Sequence, residues 1–421
     1  MARIITFLFC ALILRGSLLT ALEASPEASI RATIVGEAIL RNEGYQLLKT
    51  MTTRHGPRMA GTEGNRRSLD LLEEELHRLG IETRREAFSL PGWKRGNDSV
   101  SLVSEPARPL RAAALGYVSP HEAFEAGLAV VESLDFEEIN PESLRGRIVL
   151  MAPNLRPAMD ELERFADEFG VVGVLLINRK NGGQLLARVS GHEGNPPPFP
   201  VYSITVEEGR WMQRQMEAGM PVRIRMETES GPGPMTVENL VAVLPGRSDE
   251  VIVAGAHFDS WDDGSGATDN GTGTVTMMEA MRILKEVYPN PRRTIVIGLW
   301  GGEEQGLIGS HSFAIDNPEI TENLQAAFNQ DNGTWRIDYI RMQGFTGAGA
   351  HFGRWFGAIP QEITQHIELA IPGVPEQGGS DHMAFICRGV PGFRLQSSYP
   401  EYRQYTWHTN RDTFDKVSFD D

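Results

Sequence analysis

Histidines and carboxylates recur at the ends of apolar runs in the second half of this chain, and their types and spacing suit metal-assisted hydrolysis. In VIVAGAHFDSWDDGSGATDNG (251–271), residues 251–256 form a short β-branched run that reads as a buried strand and ends on His257. Asp259 lies two places on, and a Gly/Asp/Ser-rich loop then delivers Asp269 before an amphipathic helix predicted from about Thr272. A second apolar run, 294–300, leads into GGEEQGLIGS and puts Glu303 and Glu304 on the following loop. Residues 324–329 make a weaker third strand that ends close to Asp331, and His408 follows in YTWHTNRDTFDKV.

Strand, polar loop and helix in that order place the loops at the carboxyl edge of an open α/β sheet, where ligands bind. Bringing Asp269, Glu304 and Asp331 within a few ångströms costs roughly 4 kcal/mol per pair at about 4 Å and an effective dielectric of about 20. A cation is needed to hold them together. Two divalent ions carry four positive charges against three ligand carboxylates, which leaves one for a bound hydroxide. Imidazole and carboxylate donors suit zinc, and a bridged pair about 3.5 to 4 Å apart serves hydrolysis. Asp269, in the middle of the set, is the natural bridge. Taken singly, a strand-terminal His-x-Asp is usually a capped loop and a Glu-Glu pair usually solvated surface. The shared setting and order carry the reading.

AHFDSWDDGSGATDNGTG, GGEEQGLIGS, NQDNGTW, GGSDHMAF and HTNRDTFDKV resemble the five signature blocks of the co-catalytic di-zinc exopeptidases, the zinc aminopeptidases and glutamate carboxypeptidases. The HFDSWD variant is similar to the carboxypeptidase Q branch and its bacterial relatives. The resemblance implies two Zn2+ per chain. His257 with Asp331 or Glu304 would be terminal ligands, His408 the fifth ligand, and Asp269 the bridge. It also implies Glu303 as general base, Asp259 as the carboxylate that orients His257, and a non-proline cis peptide between Asp269 and Asn270. Asp381 and His382, inside GGSDHMAF, are candidates for lining the site. The other histidines, at positions 55, 77, 121, 192, 311, 351 and 366, read as ordinary surface or core residues.

The frame around these residues reads as a mixed, mostly parallel sheet flanked by helices, the zinc-peptidase fold that the resemblance implies. Residues 38–85 read as two helices. The second carries Leu69, Leu72, Leu76 and Leu79 at helical spacing and stops at Gly80. HGPRMAGTEGN between them is a turn segment similar to the GPR entry of the carboxypeptidase Q branch. From about Asp98 to Gly233 the texture changes to short strands, prolines, and breaker-rich GNPPPFP and ESGPGPM stretches. This β-rich block has no catalytic constellation of its own and resembles a protease-associated domain. The predicted organisation is a signal peptide over 1–24, a catalytic domain over 25–98 and 234–421, and the insertion over 99–233. Beyond His408 the resemblance implies one further helix, which the remaining thirteen residues do not encode.

Arg3 and the apolar run 4–14 read as a secretory leader rather than a membrane span, which would need about 20 apolar residues. With the leader removed, Cys387 is the one cysteine left, so no internal disulfide is expected. The net charge of −16 argues against nucleic acid or an anionic membrane as partner, and the chain is compatible with a homodimer. The implied function is a secreted zinc exopeptidase acting on short peptides or dipeptides, of aminopeptidase or dipeptidase type. A carboxypeptidase is the alternative, because Arg394, Arg403 and Arg411 lie in the region where a terminal carboxylate would bind. From other classes come a metal-free receptor ectodomain and a one-zinc, glutaminyl-cyclase-like acyltransferase, which metal content separates.

Overall fold

A computed structural model of the protein describes residues 26–191, 194–331, 333–398 and 401–420, so the predicted leader and His192 lie outside the described residues. Two separate eight-stranded sheets organise the chain. The first contains β1 (Glu82–Lys94), β2 (Gly231–Leu244), β3 (Ser248–His257), β4 (Arg293–Trp300), β5 (Leu324–Gln330), β6 (Tyr339–Arg341), β7 (Glu368–Ala370) and β8 (Gly392–Gln396). Its spatial order is β1-β2-β4-β3-β5-β8-β6-β7. The four central strands β4, β3, β5 and β8 run parallel, and antiparallel pairs flank them. The fold is therefore the mixed α/β class expected.

The apolar runs that predicted β3, β4 and β5 form the buried centre, with register pairs Val253 to Val296 and Ala256 to Leu299. Trp300 lies across the backbone of β4 and β3, and a Cβ at Gly298 would come within 1.9 Å of its indole. Those two strands therefore need glycine at 298 and 255 for close packing. Helix α1 (Glu63–Arg78) buries Leu69, Leu72 and Leu76, and Thr62 caps it by accepting from the Asn65 amide. Gly80 at φ 67° ends the run, with its amide on the His77 carbonyl at 2.9 Å and the Ile81 amide on that of Leu76 at 3.0 Å. Helix α2 (Thr272–Val287) packs Met277, Met278 and Met281 against the same face.

The sequence reading differs from the structure at the sheet edge. Residues 82–85, inside the span read as two helices but past the Gly80 stop, open β1, and ESGPGPM opens β2 instead of forming a loop. Charges disguise β1: Arg85 pairs with Asp70 and Glu73 of α1, so this strand lacks the apolar alternation that marks a half-buried strand. Pro232 and Pro234 sit where β2 has β1 as its neighbour on one side only, since β4 joins at Leu240–Leu244, and proline is tolerated at such positions.

The second sheet draws all its strands from between β1 and β2. Its parallel centre is His121–Val131, Arg147–Met151, Gly173–Ile177 and Val201–Ile204, with helices Met159–Asp167 and Val206–Glu217. It is thus more helical than the β-rich reading anticipated. It has its own core, including Val149, Leu175, Phe165 and Ile224, to which Trp93 and Trp261 from the first unit also contribute. Among the described residues, no helix is long and apolar enough to cross a membrane.

Candidate metal centre

β3 ends on His257, β4 runs into the Glu303-Glu304 loop, and β5 stops just before Asp331. Parallel pairing puts these three ends at one edge of the sheet, so the convergence follows from register. Asp269 arrives on the loop before α2, and His408 arrives from the far end of the chain with φ 54°. The Asp269–Asn270 peptide is cis, as the resemblance implied.

The five side chains form two groups that share one carboxylate. His257, Asp269 and Asp331 make the first, and Asp269, Glu304 and His408 the second. His257 Nε2 lies 3.4 Å from Asp269 Oδ1 and 3.4 Å from Asp331 Oδ1. His408 Nε2 lies 3.5 Å from Asp269 Oδ2 and 3.2 Å from Glu304 Oε2. Each oxygen of Asp269 thus faces a different imidazole, an arrangement suited to a carboxylate that bridges two cations. The pairing left open by the sequence resolves into His257 with Asp331 and Glu304 with His408.

Burial makes the set costly without a cation. Asp269 Oδ2 and Glu304 Oε1 are buried and have no hydrogen-bond partner. Burial, followed by the nearby Asp331 and Glu304 charges, pushes Glu303 well above the carboxylate range, against the pull of His257. Burial and Asp269 raise Glu304 in the same way. Burial disfavours charge on His257, but Glu303, Asp259, Asp269 and Asp331 outweigh it and raise its pKa. Burial lowers that of His408. Against its own burial, Asp331 is held below the usual range by Arg394 and His257. Imidazole and carboxylate donors with orphaned buried oxygens fit zinc.

The supporting groups account for the geometry. Asp259 is fully buried. Its carbonyl is the closer partner of His257 Nδ1, at 3.1 Å, with its carboxylate at 3.6 Å. That carboxylate accepts the amides of Glu303 and Glu304 at 3.2 and 3.3 Å, so Asp259 ties the β3 loop to the β4 loop. Asp412 accepts the Thr268 and Asp269 amides at 2.7 and 2.9 Å and fixes the Asp269 turn, while burial pushes its pKa up to about 7. Sequence reasoning missed Asp412; its position four residues after His408, in a ligand-bearing block, was the available signal.

Arg58, in the GPR segment, is also fully buried. Its guanidinium donates to the carbonyls of Phe258, Ser265 and Gly266 at 2.6 to 2.7 Å, closing both ends of the loop after β3. Burial lowers its pKa to about 10, which leaves it charged at neutral pH. Arg58→Ala should cost about 3–5 kcal/mol of stability, because it strands three carbonyls that the fold has already desolvated. Urea denaturation of the metal-free protein measures this, and Arg58→Lys should recover only a minor part, since one ammonium cannot span the three carbonyls.

Asp381 and His382, the candidate lining residues, are fully buried and sit outside the walls of the cavity over the ligands. His382 Nε2 faces Glu376 at 2.7 Å instead, and burial raises Asp381 to about 7. The cavity has a volume of about 440 Å3 and is lined by Asp269, Glu303, Glu304, Asp331 and His408 together with Val189, Leu307, Arg403 and Trp407. A larger cavity of about 590 Å3, near Tyr45, Trp335 and Phe419, has none of these ligands and lies apart from the chemistry. Of the three arginines singled out in the sequence, Arg394 is committed to Asp331, through its carbonyl at 2.6 Å and its carboxylate at 3.2 Å. Arg411 lies over the Tyr405 ring, and Arg403 over Trp407 at the cavity wall.

Residues 239–421 match peptidase family M28. Carboxypeptidase Q of Homo sapiens is 27% identical over 403 residues, covering 92% of this chain and 83% of that protein. The crystal structure of a peptidase M28 precursor from Shewanella amazonensis SB2B is similar at a TM-score of 0.79 and 25% identity, covering 93% and 92% of the two chains. The zinc aminopeptidase BSAP from Bacillus subtilis has the same fold, with a TM-score of 0.70 at 21% identity and 89% of each chain covered.

Proposed function

We propose that this chain, which belongs to peptidase family M28 through residues 239–421, is a zinc exopeptidase that hydrolyses short peptides or dipeptides with two Zn2+ per chain. The observation that carries the reading is the shared carboxylate: Asp269 directs one oxygen to the His257 group and the other to the His408 group. His257 and Asp331 would hold one ion, Glu304 and His408 the other, and Asp269 both. Zinc supplies an acidified water and polarisation of the scissile carbonyl when bound.

The chain's own residues do the rest. Glu303, which belongs to neither ligand group, accepts the proton of the attacking water and passes it to the leaving amine. Asp259 holds the Glu303 amide, so the base is positioned by the same residue that supports His257. The name of the curated relative, carboxypeptidase Q, supports a peptidase, and the likeness to a zinc aminopeptidase supports this fold as a zinc scaffold. Action at the amino end or on dipeptides, secretion by the 1–24 leader, and the role of residues 99–233 as a protease-associated domain over the cleft all belong to this proposal. The second sheet's contact with the His408 segment supports that last role: the Ala187 amide donates to the His408 carbonyl at 2.8 Å.

Elemental analysis should give two zinc ions per chain, against none for a receptor and one for a cyclase-like acyltransferase. The zinc-loaded protein should cleave free dipeptides and lose at least about tenfold in kcat/KM when the amino terminus is acetylated, the size of one lost charged hydrogen bond. Two bound ions with no hydrolysis of any dipeptide would remove the exopeptidase reading.

A further inference from the structure

We propose that Trp261 is a positioning residue for the Glu304–His408 metal group: its indole N–H holds the outer oxygen of Glu304, so that the core of the second sheet sets the affinity of one of the two ions. This rests on the two-zinc reading above and extends it to a residue outside both ligand groups.

Two residues with unsatisfied atoms line one small cavity. Trp261 is buried, and its Nε1 has no hydrogen-bond partner. Glu304 is buried as well, and its Oε1 is likewise unpartnered. An indole nitrogen only donates and a carboxylate oxygen only accepts, so the two are complementary. Both residues, with Asp269 and His408, line a cavity of about 10 Å3, at the lower limit of the room one water needs. Solvent therefore cannot answer the two groups separately. The Thr409 hydroxyl on the same wall already donates to the Tyr405 and Thr406 carbonyls, and His408 turns its Nε2 toward Asp269 and Glu304 Oε2.

Glu304 needs such a donor. Its Oε2 is the oxygen that faces His408, at 3.2 Å, which leaves Oε1 over once an ion is held between them. A carboxylate that ligates through one oxygen is kept in orientation by a hydrogen bond to the other. The loop after β3 is built to hold the indole still. Arg58 grips the Phe258, Ser265 and Gly266 carbonyls to either side of it, and Arg95 fixes Asp262 with two bonds at 2.7 and 3.1 Å. The ring itself packs in the core of the second sheet. There Gly116, whose amide donates to the Arg188 carbonyl, leaves it room: a Cβ at 116 would lie 3.2 Å from the indole. The Trp261 ring also lies 6.0 Å from that of His408, on which Trp407 stacks at 4.1 Å. One short stretch thus serves both ions, since Asp259, two residues earlier, supports His257.

Calorimetric zinc titration of the full chain, with Trp261→Phe against the unaltered protein, tests this. The substitution keeps an aromatic ring in the core and removes the N–H. One of the two sites should weaken by about 10–100-fold, the range for loss of a group that orients a ligand, while the other holds. Loss of packing alone would loosen the loop that bears both Asp259 and Asp269, and would weaken both sites alike. Nuclear magnetic resonance gives a second readout on the unaltered protein. Of the seven indole N–H signals, the one missing from Trp261→Phe should shift downfield and exchange more slowly with solvent when the Glu304–His408 site fills. Should Trp261→Phe not fold, Trp407→Phe removes the other indole next to His408, and the signal that still moves is that of Trp261. Two tight sites in Trp261→Phe, equal weakening of both, or an indole signal indifferent to the ion would overturn the role of Trp261 and leave the two-zinc centre intact. An unaltered chain that binds fewer than two ions would overturn that centre, and this role with it.

Discussion

Glu303→Gln should bind zinc as the unaltered chain does and lose about 10²–10⁴-fold in kcat, the range that a positioned general base contributes. The substitution is nearly isosteric and removes no atom from either ligand group, since Glu303 lies 4.0 Å from His257 Nε2 and belongs to neither cluster. Its backbone amide keeps the bond to Asp259. Folding should not suffer, because a buried carboxyl whose charge is disfavoured is exchanged for a neutral amide. Metal content by elemental analysis and single-turnover kinetics on a dipeptide together check this. Full metal occupancy with unchanged kcat would mean that another group takes the proton.

In the proposed two-zinc centre, Asp269→Asn should weaken both sites, whereas His408→Ala should weaken one. Loss of a residue that only supports a ligand costs about 10–100-fold in affinity, and loss of a shared ligand should exceed about 100-fold at each site. Both metal groups depend on Asp269, through different oxygens, and an amide offers one acceptor oxygen in place of two. His408 belongs to the Glu304 group alone. Zinc titration by calorimetry, at matched pH because ligation releases protons, should give no tight site for Asp269→Asn and one for His408→Ala. The fold of the metal-free Asn variant should survive, since Asp269 Oδ2 has no hydrogen-bond partner to lose. A variant that kept two tight sites would show that the two groups do not share this carboxylate.

How much of this was legible beforehand varied with the kind of interaction. The central strands were, because an apolar run buried on both faces, such as 251–256 or 294–300, is a local composition signal. Helix α1 was legible from its leucine spacing and Gly80. Strand β1 was not: its outward charges answer Asp70 and Glu73 on a helix, and a partner that far off leaves no periodic trace. The tie from Asp412 to Asp269 spans 143 residues, and Arg58 closes a loop 200 residues away, so neither could be read from spacing. Asp259 shows the same limit. Its carboxylate is occupied mainly with the Glu303 and Glu304 amides, a contact set by the parallel register of β3 and β4.

The order of residue types along the chain determined which donors are available, because donor chemistry belongs to the side chain: two imidazoles and four carboxylates, of which His257, Glu303, Glu304 and Asp331 follow apolar strands. Tertiary structure alone decided which imidazole shares which carboxylate and that Asp269 faces both. Those outcomes depend on distances between segments up to about 150 residues apart, which strand register and burial set and which local sequence does not encode.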